Sequence, residues 1–333
     1  MIAVGSPLAG VDVLLADLDG VLYAAAEPIP YAVDAVNTLV ADGVRVGYIT
    51  NNASRRDDEV AAQLRGYGLD VGARDVITSP QAAVDVLRGL VPDGSTILVV
   101  GGEGITHELG LAGYRITGSA SDAPAAIVQG FHPSVGWANL AEAAFAIQQL
   151  GIPWVATNQD WTMPHSRGVA PGNGTLVSAV HTATGTMPIV AGKPERPIFE
   201  TAIARFGAAM PLVVGDRLDT DVIGANRAGI ASALVLTGID GPKQLLAATA
   251  DERPTYILDD LRELSTPYPL PTVHEGGIVR VRDAAIRLDG YRLEILEAGP
   301  RPTDLVRAAC AIIWGSGLAI YAFEVPEQIY LRG

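Results

Sequence analysis

Two acids two residues apart, Asp17 and Asp19, close an apolar run in Leu14-Leu15-Ala16-Asp17-Leu18-Asp19-Gly20-Val21. Side chains alternate along an extended strand, so a strand continuing through this stretch would point both carboxylates the same way. Gly20 lets the backbone turn directly after them. Two ionised carboxylates side by side repel, and a divalent cation would let both stay charged. A twelve-residue calcium loop needs a glycine at its sixth position and a glutamate at its twelfth. Here Gly20 comes too early and Pro28 stands at the twelfth. Taken alone, the four residues also fit a solvated turn or half of a structural ion pair.

Three further stretches carry groups of the same kind. Thr50-Asn51-Asn52 ends an apolar run and precedes a helical pattern. Backbone N–H groups at a helix start can hold a phosphate, although such a tripeptide is also a common turn. Lysine occurs only at Lys193 and Lys243, every other strong base being arginine. That usage points to a need for an ammonium at Lys193, with a plain surface lysine as the alternative. Asp216-Arg217-Leu218-Asp219-Thr220-Asp221 follows the apolar Leu212 to Gly215, and a solvated helix start is its bland reading. Asn158-Gln159-Asp160 opens a loop that carries His165, Ser166 and Arg167.

The elements that would position these groups alternate between strand and helix. Val11 to Ala16 reads as a strand buried on both faces. The periodicity predicts a helix over 31–41 ending at Asp42-Gly43. It predicts a strand over 44–50 and a helix from Ser54, a candidate N-cap, to Tyr67. Ser79-Pro80 opens a helix to about Leu90, and a strand is expected over 96–100. Gly101-Gly102-Glu103-Gly104 reads as a tight turn. Then come a strand over 125–129, a helix over 136–150, a strand over 153–157 and a helix over 175–184. Strands are expected at 189–192, 212–215, 233–236 and 256–258, with helices after Pro197 and after Asp221. This β-α-β order implies parallel sheets. The proline-rich 265–271 reads as a linker. Beyond it the pattern predicts a hairpin about Asp289-Gly290, a helix over 303–314 and a strand over 318–325.

The chain has 333 residues, 49% of them hydrophobic, and a net charge of −14. The length allows two or three domains. The charge argues against sequence-independent nucleic-acid or anionic-membrane binding. An anionic small substrate stays compatible with it, since a bound metal can dominate locally. The single cysteine, Cys310, rules out an intrachain disulfide and suits a reducing cytoplasm. No signal peptide is read at the N-terminus. The apolar run 308–323 is too short for a membrane span and is broken at Gly315-Ser316-Gly317.

The four stretches, in this order and each after a strand, resemble the haloacid dehalogenase (HAD) superfamily of aspartate-nucleophile phosphatases. The motifs are Asp17-Leu18-Asp19-Gly20-Val21, Ile49-Thr50-Asn51-Asn52, Gly192-Lys193-Pro194-Glu195 and Gly215-Asp216-Arg217-Leu218-Asp219-Thr220-Asp221. Within the superfamily they resemble the branch of p-nitrophenylphosphatases, phosphoglycolate phosphatases and glycerol 3-phosphate phosphatases. The resemblance covers about 10–264. It implies an α/β fold: a Rossmann-like core with a parallel sheet (1–78 and 188–264) and an inserted α/β cap (79–187). Outside it lies a small α+β C-terminal extension (268–333), expected to stabilise or dimerise the chain.

The resemblance also implies roles. Asp17 would attack phosphorus and form an aspartyl-phosphate. Asp19 would protonate the leaving alkoxide and then activate water. Asp17, Asp19 (through its carbonyl), Asp216 and Asp221 would make a Mg²⁺ site. Thr50, Asn51 and Asn52 would bind the phosphoryl oxygens, and Lys193 would offset their charge. In the cap, Asn158, Asp160, His165 and Arg167 are candidates for holding the rest of the substrate. A cation such as Arg167 or His165 suits a carboxylate, as in 2-phosphoglycolate. Neutral groups such as Asn158, Gln159 and Ser166 suit the hydroxyls of glycerol 3-phosphate. Pyridoxal phosphate and nucleotides are further candidate substrates. Two readings of another class are a catalytically inactive binding or regulatory protein with the same fold, and a coenzyme A-dependent acyl-transfer role for the extension.

Overall fold

The structure, a computed structural model, describes residues 2–165 and 167–331. It comprises two compact units, one made of Met1–Arg45 and Met210–Gly333, the other of Val46–Ala209.

In the first unit four parallel strands lie side by side in the order Tyr256–Leu258, Ala231–Val235, Pro211–Gly215, Val13–Ala16. Val13–Ala16 is buried at every position, as a strand covered on both faces requires. Helices Ile223–Ala228 and Pro242–Ala247 make the crossovers that parallel neighbours need. Helix Ala32–Ala41 stands where the periodicity places it and buries Ala32, Val36 and Leu39.

In the second unit Arg45–Thr50 pairs in parallel with Val76–Thr78. A separate sheet of five parallel strands runs in the order Ile189–Val190, Trp154–Ala156, Ala126–Gln129, Thr96–Val100, Arg115–Thr117. One of its faces, with Leu98, Val100, Ile127 and Trp154, packs on helices Trp137–Leu150 and Asn173–Thr184 through Ala143, Ala146, Val177 and Val180. Apart from the C-terminal extension in the first unit, both units thus carry the parallel α/β layers expected from the β-α-β order. No helix among the described residues is long and apolar enough to cross a membrane.

Local departures from the sequence reading have identifiable causes. The second helix begins at Asp57, not Ser54, because the Ser54 N–H and hydroxyl both donate to the Asn52 side chain. The Arg56 N–H is instead satisfied by Glu59. Gly101 to Gly104 is not a free-standing tight turn, since Gly102 caps a helix over Glu103–Leu111. The stretch after Asp160 is a hairpin, Thr162–His165 with Gly168–Pro171.

The C-terminal extension is an antiparallel meander of Thr272–His274, Ile278–Val281, Ala284–Asp289 and Arg292–Glu297, followed by helix Pro302–Ser316. The expected hairpin turns at Gly290-Tyr291, directly after Asp289, and the expected helix is present. The strand expected over 318–325 is absent. A turn of 3₁₀ helix, Ile320–Ala322, stands there, with one bridge between Arg292 and Glu324. Ile320 and Phe323 both pack on the core, and a three-residue spacing suits a 3₁₀ turn rather than alternation.

The meander and the helix share one hydrophobic cluster with Leu218, Val222, Leu234, Leu245 and Ile257 of the first unit's α/β part. Arg307 ties the helix to it polarly. Its side chain, 2% exposed, donates to the Ile257 carbonyl at 2.9 Å, to Asp304 at 2.7 Å and to Glu263 at 2.6 Å. Removing one member of a buried ion pair strands the other, which typically costs about 3–5 kcal/mol. Arg307→Met is therefore expected to lower unfolding free energy by about that amount. Urea denaturation checks this, and a loss under about 1 kcal/mol, the scale of an exposed pair, would contradict it.

Candidate active site

The first unit gathers carboxylates at the carboxyl ends of two neighbouring strands. The chain leaves the Val13–Ala16 strand at Asp17, whose N–H still donates to the Val214 carbonyl of the next strand at 2.8 Å. Beyond it the backbone coils. The Leu18 carbonyl accepts from Val21, Leu22 and Tyr23, and Asp19 forms an isolated bridge with Tyr23. The strand therefore does not continue through Asp19, which is exposed while Asp17 is half-buried. The same-side orientation expected of a continuing strand does not apply here, because the turn sets each acid separately.

On the neighbouring strand Asp216 follows Gly215 directly. Next comes a single π-helical turn, Leu218–Val222. Asp221 lies within it and accepts from the Arg217 N–H at 3.2 Å. Asp219 points elsewhere and pairs with Arg217 at 2.7 Å. One carboxylate oxygen each from Asp17, Asp216 and Asp221 lie within 4.8 Å of one another. Asp216 and Asp221 are each 1% exposed. Three carboxylates this close, two of them removed from water, form an all-oxygen donor set for a hard cation.

The surroundings are shaped to that cluster. Gly20 sits at φ +76°, and a Cβ there would collide with the Asp216 carboxylate. Gly238 meets the same carboxylate from another side. The Ile239 N–H donates to Asp216 Oδ2 at 2.7 Å, and the Asp240 N–H to the Asp216 carbonyl at 3.1 Å. Asp240 in turn accepts from the Leu218 N–H at 2.6 Å, and burial raises its own carboxyl pKa. The Thr237 hydroxyl donates to the Gly20 carbonyl at 2.7 Å. This stretch from Thr237 to Asp240 escaped the sequence reading. It works mostly through backbone N–H groups, which no residue type advertises.

The second unit holds the polar groups of the other two motifs. Thr50 ends its strand 5% exposed, and its hydroxyl accepts from the Asn52 N–H at 3.1 Å. Asn51 is tied on every side. Its Nδ2 donates to Asp160 at 3.1 Å and to the Lys193 carbonyl at 3.0 Å, and its Oδ1 accepts from the Lys193 N–H at 2.8 Å. Its carbonyl accepts from Asn158 at 2.7 Å and from the Ser79 hydroxyl at 2.8 Å. Lys193 is 4% exposed, so it is no plain surface lysine.

Asn51, Asn158, Asp160 and Lys193 thus form one hydrogen-bonded cluster. Asn158 is 4% exposed and its carboxamide is engaged with Asn51 and with the Asp160 N–H. With these two bonds it braces the Asn51 loop. Arg167, at the hairpin, is exposed. The side chain of His165 and the whole of Ser166 lie outside the described residues. A further group, Asp57, His107 and Glu108, brings its ligand atoms together in the same unit. Gln81 donates to both acids there, and burial, reinforced by the Asp57 charge, raises the Glu108 carboxyl pKa.

Comparison with known proteins bears on the whole chain. Residues 14–115 match the family model described as haloacid dehalogenase-like hydrolase, and residues 190–264 match one described as HAD-hydrolase-like. A D-glycerol 3-phosphate phosphatase of Mycobacterium tuberculosis is 41% identical over 309 residues, covering 91% of this chain and 86% of that one. The crystal structure of a glycerol phosphate phosphatase from that organism, in complex with magnesium, superposes with a TM-score of 0.87 at 38% identity. The match covers 97% of this chain and 95% of that one. A p-nitrophenyl phosphatase from Archaeoglobus fulgidus gives a TM-score of 0.71 at 29% identity, over 77% of this chain and 98% of that one. With its four motifs in order on parallel strands, the chain belongs to the haloacid dehalogenase-like hydrolases.

Proposed function

We propose that this protein is a Mg²⁺-dependent phosphomonoesterase that hydrolyses glycerol 3-phosphate through an aspartyl-phosphate. The observation that carries the substrate is the 41% identity, along 91% of the chain, to a protein named for that activity. The metal reading rests on the all-oxygen cluster of half-buried Asp17 with buried Asp216 and Asp221, which suits a cation that prefers oxygen ligands. When bound, Mg²⁺ would neutralise part of the carboxylate and phosphoryl charge.

The chain's own residues then have distinct tasks. An Asp17 carboxylate oxygen attacks phosphorus, and the bond from phosphorus to the glycerol oxygen breaks. Asp19 gives its proton to that departing oxygen. Asp19 next takes a proton from water, whose oxygen attacks phosphorus and releases phosphate and free Asp17. The Thr50 hydroxyl and the Asn51 backbone N–H hold phosphoryl oxygens beside Asn52, and Lys193 offsets their charge. Asp221 completes the metal set. In this reading 1–78 and 188–264 are the catalytic core, 79–187 the cap and 268–333 an extension. The substrate is a small phosphorylated metabolite, and a cytoplasmic location accords with the single cysteine.

Arg167 is the cap residue proposed to read the part of the substrate beyond phosphorus. Losing a hydrogen bond to a charged group costs about 1.5–3 kcal/mol, or roughly ten- to a hundredfold. Arg167→Ala should lower kcat/KM for glycerol 3-phosphate by that factor and leave p-nitrophenyl phosphate comparatively unaffected. Steady-state kinetics on a panel that includes 2-phosphoglycolate tests this. A loss confined to 2-phosphoglycolate would move the assignment to a carboxylated substrate. Equal losses on every substrate would remove Arg167 from specificity.

A further inference from the structure

We infer that Trp314, in the last turn of the extension helix Pro302–Ser316, is a positioning residue for the metal-binding carboxylates. The inference rests on the metal reading of Asp17, Asp216 and Asp221 and assigns the extension a task within it. The connection is short and can be followed bond by bond within the first unit. The Trp314 indole N–H donates to the Leu245 carbonyl at 3.1 Å. Leu245 belongs to helix Pro242–Ala247 and is fully buried. The residues leading into that helix are those that grip Asp216. Ile239 holds its carboxylate, Asp240 holds its carbonyl, and the Asp240 side chain holds the N–H of Leu218 at the start of the π turn.

A second, apolar route runs in parallel. Leu218 and Val222, which flank Asp221 in the π turn, share the hydrophobic cluster of Leu245, Leu305 and Ile312. The extension therefore backs both carboxylates that the strand Pro211–Gly215 presents. Trp314 is itself clamped from outside. The Arg253 guanidinium lies 5.5 Å from the centre of its ring and donates to its carbonyl at 3.3 Å.

Geometry at a hard-cation site is exacting, and groups that orient the ligands commonly influence affinity. An interior packed at crystal-like density passes a displacement on rather than absorbing it. Losing the Trp314 anchor should let helix Pro242–Ala247 shift, and with it the two N–H groups that fix Asp216. Trp314 acts through Leu245 and the segment that leads into its helix, so its effect should appear in metal affinity.

The test uses the full-length chain and Mn²⁺ as the probe, with free Mn²⁺ read by electron paramagnetic resonance well below the melting temperature. Trp314→Phe keeps the aromatic bulk and removes the donor. It should weaken Mn²⁺ binding about three- to tenfold, the factor one net hydrogen bond is worth. Arg253→Gln loosens the clamp and should act in the same direction with a smaller factor. Val180→Ala trims a buried residue of helix Asn173–Thr184, in the separate hydrophobic cluster of the other unit. It should lower the melting temperature without changing Mn²⁺ affinity. Unchanged affinity in Trp314→Phe would overturn the inference. So would an equal loss in Val180→Ala, which would mark a general stability effect. Asp216→Asn separates the two levels. If Mn²⁺ still binds that variant as tightly as the parent chain, the metal reading fails, and the inference with it.

Discussion

Asp17→Asn should lose phosphatase activity by more than about a thousandfold, on the scale seen when a catalytic nucleophile is removed, while melting as a folded protein. The side chain stays the same size but is a far poorer nucleophile. It also takes one charge from a cluster whose other members, Asp216 and Asp221, are each 1% exposed. The fold should survive because the strand before it, Val13–Ala16, is fully buried and paired independently of that carboxylate. The Asp17 backbone also keeps its bond to Val214. Relief of charge crowding should, if anything, stabilise the variant without metal. Phosphate release by carefully separated variant protein measures the first effect, and thermal melting measures the second. Turnover within tenfold of the parent chain would rule out a covalent Asp17 intermediate.

The second large effect is expected at Asp19, and it should depend on the leaving group. General acid–base catalysis contributes about 10²–10⁴-fold. Asp19→Asn removes both the proton given to the leaving oxygen and the base that later activates water. Glycerol leaves as a poor leaving group and needs the proton. The p-nitrophenolate ion is a good one and leaves without it. The loss in kcat/KM should therefore approach the upper end of that range for glycerol 3-phosphate and fall short of it for p-nitrophenyl phosphate. Identical losses on the two substrates would deny Asp19 the role of general acid. Its exposure, against the burial of Asp216 and Asp221, agrees with a group that must trade protons with water.

Much of this architecture was legible in the residues because its signals are local. Val13–Ala16 and Pro211–Gly215 are apolar without alternation and end in acids, so both the buried strand and the place of the carboxylates could be read. Lys193 could be read from the near-absence of lysine elsewhere. What escaped depends on partners far along the chain or on the backbone. Ser79 supports the Asn51 carbonyl from 28 residues away. Thr237 to Asp240 grips Asp216 chiefly with N–H groups that any residue carries. The hairpin Thr162–His165 with Gly168–Pro171 was hidden because each of its strands contains a proline, which ordinarily argues against a strand. The chemistry of Asn158 suggests a substrate contact, while the bonds of its carboxamide to Asn51 and Asp160 follow only from the fold. Residue type announces what a group can do, and tertiary contacts decide whether it is free to do it.

Metal-dependent hydrolysis by Asp17 can be followed as inorganic phosphate and glycerol released from glycerol 3-phosphate by the purified full-length chain, first stripped of metal with a chelator and then supplied with Mg²⁺. The stripped protein should show no turnover, and equal amounts of phosphate and glycerol should appear once Mg²⁺ is restored. Failure of the Mg²⁺-loaded protein to hydrolyse glycerol 3-phosphate would contradict that mechanism, as would full activity in the presence of the chelator.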